Sequence, residues 1–161
     1  MPETRDLPMA TTESPRARAS IIIRIAPKDI TKALIEPDRL TQFWLASSSA
    51  PLAAGAKVHW KFMVPGAEVD TTATRLIPGR KIDWQWSDGT DVDIDLEEVD
   101  GGTAVTIVSS GFRGSRDEVV EHALTATEGF AFVLAALKDM LESGKASNIV
   151  RDKARLIELR R

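Results

Sequence analysis

Asp91, Asp93, Asp95 and Glu97 are the densest run of alternating carboxylates in the chain and the first place to look for a metal. A calcium loop needs glycine at its sixth position and glutamate at its twelfth, yet counted from Asp91 these are Leu96 and Gly102. On a strand the same carboxylates stand ~6.5–7 Å apart along one face, too far to share an ion without a neighbouring strand. They read as a solvated outer face. The two histidines are separate from them. His59 alternates with apolar residues and so points outward, whereas His122 flanks the apolar stripe of a long helix, where Glu118 or Glu121 would complete any proton relay. Ser47-Ser48-Ser49 lacks the glycine frame of a nucleophilic elbow and reads as a loop. No glycine cluster joins a strand to a helix, so phosphate and dinucleotide loops are absent, and with no cysteine there is no thiolate to attack a substrate or bind a metal. Neither a metal nor a cofactor is expected.

The residues that remain are aromatic. Trp44, Trp60, Trp84 and Trp86 are the four tryptophans of the chain, and the last three fall on the inward face of strands. An indole pairs a large apolar body with one N–H donor, so such a wall suits a cavity for an apolar ligand bearing a few polar atoms; it also suits a plain filled core. The candidate pocket wall comprises Trp44, Trp60, Phe62, Trp84, Trp86, Ile94, Ile107, Phe130 and Leu134, with Arg75 and His122 as polar candidates.

Positioning these residues requires a sheet. Pro65-Gly66, Pro78-Gly79, Asp88-Gly89 and Asp100-Gly101-Gly102 punctuate the middle of the chain at near-regular intervals, leaving strand-length segments between them. Val58, Trp60, Phe62 and Val64 alternate with polar residues, as do Ile82, Trp84 and Trp86, then Val92, Ile94 and Leu96, then Val105 and Ile107. The alternation over 68–77 is weak and leaves the face of Arg75 open. Before the meander, Ser20–Ala26 reads as a strand and is followed by two short helices, from Pro27 to about Ile35 and over Asp38–Leu45. After it, the capping box Ser115-Arg116-Asp117-Glu118 opens a helix that Gly144 ends. Its predicted stripe is Val120, Leu124, Thr127, Ala131, Leu134, Leu137 and Leu141, widened by Phe130, Val133 and Met140. Gly129 lies inside that helix at a cost of about 1 kcal/mol relative to alanine, either as a packing compromise or because something must approach closely.

The 161 residues suit one domain, 20–144, flanked by a proline-bearing arm over 1–19 and a basic tail over 145–161. The domain holds 12 basic and 19 acidic residues, whereas the tail holds six basic and two acidic. In the tail Val150, Ala154 and Ile157 line one side of a basic amphipathic helix, which would dock on the acidic body, on a second copy or on a protein partner. A net charge of −3 argues against nucleic-acid binding. No apolar run reaches the ~20 residues of a membrane span, so a cytoplasmic chain with no membrane partner is expected.

A strand, two short helices, a meander and one long helix is the element order of the helix-grip fold, and local stretches agree. IAPKDITKALIEPDRLTQFW, IPGRKIDWQW, DIDLEEVDGGTAVTIVSSGF and GFAFVLAALKDMLESG resemble the bacterial relatives of the activator of heat-shock-protein-90 ATPase. These sit within the superfamily of START domains, birch-pollen allergens and polyketide cyclases. The resemblance covers 20–144 and implies an α+β fold, with a curved antiparallel sheet of about six strands around the long helix and an apolar cavity between them. Where the family usually has Gly-Trp in that helix, this chain has Gly129-Phe130, and the tail after Gly144 has no counterpart. Three functions follow. The leading one is non-enzymatic binding of a small hydrophobic molecule. The others are a protein-interaction module like the chaperone activators, with a stress-response role, and a cyclase- or aromatase-like enzyme using Arg75, His122 and Thr71, Thr72 or Thr74.

Overall fold

The computed structural model describes residues 13–161, so most of the expected arm lies outside the described residues. Strand β1 (Ala17–Ile23) begins inside that arm. Helix α1 (Pro27–Ile35) opens on proline with Asp29 in its first turn, and ends where Glu36, ahead of Pro37, takes extended angles (φ −83°, ψ 129°). Helix α2 (Pro37–Phe43) stops short of the expected Leu45, because Leu45 opens a strand, β2 (Leu45–Ser48). The serine run is therefore largely strand rather than loop. Its ladder with β3 (Lys57–Phe62) is extended by Ser49, whose N–H donates to the His59 carbonyl (3.0 Å) and whose Oγ accepts from the His59 N–H (2.8 Å). Serines have little strand propensity of their own, and pairing with β3 decides the matter.

Strands β4 (Glu68–Ile77), β5 (Lys81–Trp86), β6 (Asp91–Val99) and β7 (Gly102–Ser110) complete an antiparallel sheet of seven strands in the order β1-β7-β6-β5-β4-β3-β2. The count exceeds the expected six by the serine strand. The weak alternation of β4 has a structural cause: its register with β5 shifts between Ala73 and Arg75. Thr71 and Ala73 face inward before the shift and Arg75 pairs with Asp83 on the outer face after it, so no single period fits the strand.

Helix α3 (Arg116–Ser143) carries the full capping box, and Gly144 closes it in the left-handed conformation (φ 78°). By length and composition α3 would suffice to cross a membrane, but it lies along β1. The Arg18 N–H donates to Thr127 Oγ1 (3.4 Å), Lys138 Nζ donates to the Ile22 carbonyl (2.7 Å), and the Arg24 N–H donates to Glu142 Oε2 (2.7 Å). From Phe130 onward the predicted stripe holds at Phe130, Val133, Leu134, Leu137 and Met140, whereas Ala131 is exposed and Ala136 is buried in its place; before it the stripe is rotated, with Val119 and Ala123 buried and Val120 and Leu124 36% and 62% exposed. Toward its start α3 turns Val119 and Ala123 inward, and Val120 and Leu124 lie on the side that no other described element covers. Helix α4 (Ile149–Leu159) turns back against α3, with Lys153 paired to Glu128 (2.7 Å).

The core between sheet and helices includes Phe43, Trp60, Ile82, Trp84, Ile94, Ile107 and Leu134, all at most 1% exposed. One point of this packing is tight enough to test. A Cβ on Gly102 would collide with the Ile23 carbonyl and stand 2.8 Å from Arg24 Cα, because β7 starts against the backbone that leaves β1. Gly102→Ala should therefore lower stability by about 1–3 kcal/mol in urea unfolding; an unchanged midpoint would show that the β1 exit yields freely.

Candidate functional site

The six aromatic side chains Trp44, Phe62, Trp60, Trp84, Trp86 and Phe130 form one contiguous cluster. Trp60 meets Trp44 and Trp84 edge to face at 5.2 and 5.1 Å, the arrangement ring quadrupoles favour. Trp86 stacks on Phe130 (6.1 Å, 7°) and stands edge-on to Phe62 (6.1 Å, 86°). Trp44 closes the figure at 6.2 Å from Phe62 and 6.4 Å from Phe130. Three indole N–H groups, those of Trp60, Trp84 and Trp86, are buried with no hydrogen-bond partner. Buried donors of this kind normally find one.

Beside the cluster is a cavity of about 310 Å³. Trp44, Phe62, Trp86 and Phe130 form its aromatic side, the β3–β4 turn contributes Met63, Val64 and Ala67, and α3 contributes Gly129 and Val133. Helix α4 supplies the remaining wall through Val150, Lys153, Ala154 and Ile157. Its far end meets the β3–β4 turn, where Arg161 Nη1 donates to the Pro65 carbonyl (3.2 Å). Lys153 is the one ionisable residue in the lining.

Of the sequence candidates, Trp44, Phe62, Trp86 and Phe130 line this cavity. Trp60, Trp84, Ile94, Ile107 and Leu134 do not; they are core. Inward alternation identifies a buried face without separating its packed middle from its open end. Arg75 is exposed on the outer face, across from Asp83. His122 is exposed as well and stacks near Phe112 (6.4 Å), in a separate depression that shares only Trp86 and Ala126 with the apolar cavity. Neither polar candidate reaches the cavity. The lining residues absent from the candidate wall lie in the β3–β4 turn, on α3 (Ala126, Gly129, Phe132 and Val133) and on α4, although the stripe Val150, Ala154, Ile157 and the odd Gly129 both stood out in the sequence.

Gly129 is informative because a Cβ there would meet nothing within 4 Å. Nothing in the chain itself excludes a side chain at that point, and the missing methyl leaves its space to the cavity.

The outer face carries two charged groups of its own. Asp83 and Asp93 are register partners, and Lys81 Nζ lies 3.7 Å from Asp83 and 2.8 Å from Asp95. Burial, and then the neighbouring Asp83 charge, push the Asp93 carboxyl above its usual range, so this face is less fully solvated than its composition suggests. Further along, His59 bridges two carboxylates, with Nδ1 2.8 Å from Asp70 and Nε2 2.9 Å from Glu68. Hydrogen bonds to Asp70, then Glu68, raise the imidazole above its ordinary value. Among the described residues no three His, Asp or Glu side chains come together as a metal site.

A curved antiparallel sheet holding one long helix, with an apolar cavity at the open side of their contact, defines a START-like helix-grip protein. The sequence profile of the Activator of Hsp90 ATPase homolog 1-like proteins matches residues 24–142, and the chain belongs to that family. Curated proteins give no match. Among solved structures, a protein of Staphylococcus saprophyticus aligns with TM-score 0.72 at 24% identity, over 82% of this chain and 95% of its own. The Aha1 dimer from Colwellia psychrerythraea aligns with TM-score 0.72 at 27% identity, over 81% of this chain and 98% of its own. DynU16, from the dynemicin biosynthetic locus, shares the fold (TM-score 0.71) at 20% identity, over 83% of this chain and 49% of its own. The fold supports a ligand-binding or cyclase-like module. Helix α4 lies beyond the matched residues.

Two outcomes are expected. Gly129→Ala should stabilise the protein by about 0.5–1 kcal/mol, since the helix gains and nothing is displaced; a loss would mean that the space is filled. The raised pKa of His59 makes its contribution complete below the free-imidazole value of 6.5 and lost as pH rises through the higher folded value. The melting temperature should fall over that alkaline step in the wild type and not in His59→Gln, and NMR titration should place the His59 transition above the free-imidazole value.

Proposed function

We propose that this protein binds a small, largely aromatic molecule in the cavity between α3, α4 and the β3–β4 turn, without transforming it. The observation that carries this reading is Gly129, a residue that weakens the helix and leaves open space where alanine would fit. The cavity is at the lower end of the roughly 300–1,000 Å³ typical of ligand pockets and has the apolar, aromatic lining they share.

A cyclase-like reaction would require groups that move protons beside the ligand. Among the lining residues only Lys153 is ionisable, and it is engaged with Glu128. Binding is therefore favoured over catalysis. Assembly is a separate matter: one relative was solved as a dimer, and in this chain Leu156 and Leu159 of α4 stay exposed, so a homodimer through the tail is compatible with the ligand site.

Titration with 2-methoxynaphthalene should quench tryptophan emission with a saturable isotherm, because Trp44 and Trp86 border the cavity. Gly129→Phe should fill the space and abolish binding while leaving far-UV circular dichroism unchanged. Absence of any change in emission or heat across varied neutral apolar compounds, or undiminished binding in Gly129→Phe, would overturn the reading.

A further inference from the structure

The polar equipment of the cavity is one-sided. Its single charged residue is Lys153, whose stem lies along the wall while its ammonium is paired with Glu128 beside it, and no carboxylate belongs to the lining. That ammonium donates only, and an ionised carboxylate accepts only. The aromatic frame of Trp44, Phe62, Trp86 and Phe130 resembles the geometry that attracts organic cations, but an ammonium at its edge opposes a second positive charge.

From this arrangement we propose that the ligand is an organic anion, an aromatic or aliphatic carboxylic acid whose apolar body fills the cavity and whose carboxylate is held by Lys153. The inference rests on the cavity being a ligand site, as proposed above, and adds the chemical class. Lys153 is now paired with Glu128 at 2.7 Å, and the two side chains are 28% and 52% exposed. The partner that would have to leave is the more exposed of the two. Glu128 can turn to solvent at little cost, since a half-exposed ion pair contributes little, whereas Lys153 is already at the rim with its stem along the wall. Lys153 is contributed by α4, outside the residues that define the family, so the preference for an anion belongs to this chain's own extension.

The test compares three probes of one shape, namely 2-naphthylacetate, the neutral 2-naphthylacetamide and a naphthylmethyl trimethylammonium ion, on the full chain at pH 7. The acid should bind about tenfold more tightly than the amide, the advantage shrinking as salt rises. Lys153→Gln should bring the acid down to the amide's affinity and leave the amide unchanged. Glu128→Gln, which frees the ammonium, should tighten the acid severalfold and not the amide, and Lys153→Arg should keep most of the acid's advantage. Equal binding of acid and amide by the wild type, or tighter binding of the cation, would overturn the anion proposal while leaving the cavity reading intact. If Lys153→Gln and Glu128→Gln shifted acid and amide alike, Lys153 would be a latch for α4 and the proposal would be wrong. Failure of all three probes to bind would overturn the cavity reading and this inference with it.

Discussion

One α-helix is too narrow to cover seven strands. At ~4.8 Å between strands a seven-stranded sheet spans roughly 30 Å across, whereas a helix with its side chains is about 10–12 Å wide. Curling the sheet narrows the gap without closing it. Since α3 follows β1, the inner face of β3, β4 and β5 has to be covered by something else. Much of the rest of the molecule answers that need: α1 and α2 pack at one end, and the largest side chains of the chain fill the span between β3–β5 and the helix.

The aromatic cluster belongs to this solution. Trp60 and Trp84 are wholly buried and act as a packed filling between sheet and helix. Trp86 and Phe62 sit one step further out and are half-buried, so the filling thins toward the β3–β4 turn. There the cover comes from α4, and it is incomplete. The cavity is the remainder left by a sheet too wide for its helix, a turn that curls over it and a tail that spans the gap. Gly129 enlarges that remainder at the cost of helix stability, which is why the void reads as a feature and not as a packing fault.

How much of this was legible depends on whether a residue's environment is set locally. The faces of β6 and β7 follow from strict alternation, and the capping box and Gly144 mark the ends of α3 because caps are satisfied by residues next in sequence. Arg75 was not legible, because a one-residue register shift reverses every side chain beyond it and leaves no trace in composition. The serine strand was hidden for a similar reason, since its conformation is imposed by β3. Val120 and Leu124 were misplaced because an apolar residue on a helix declares a preference for burial without guaranteeing a partner. For the site, alternation found the aromatic wall but could not distinguish Trp84 from Trp86, neighbours on one face with different outlooks. The α4 stripe was visible as a pattern, while what it would cover was not.

The three bonds that tie α3 to β1 have a further consequence. They occupy main-chain groups of even-numbered residues, the Arg18 and Arg24 N–H groups and the Ile22 carbonyl, on the side of β1 away from β7. A sheet margin with part of its donors and acceptors taken by helix side chains is a poor template for another strand. The opposite margin, β2, is four residues long, two of them serine, and its register is broken. With one border partly occupied by helix side chains and the other short and irregular, the native fold gives little foothold for cross-β growth or strand exchange, which favours assembly through side-chain faces.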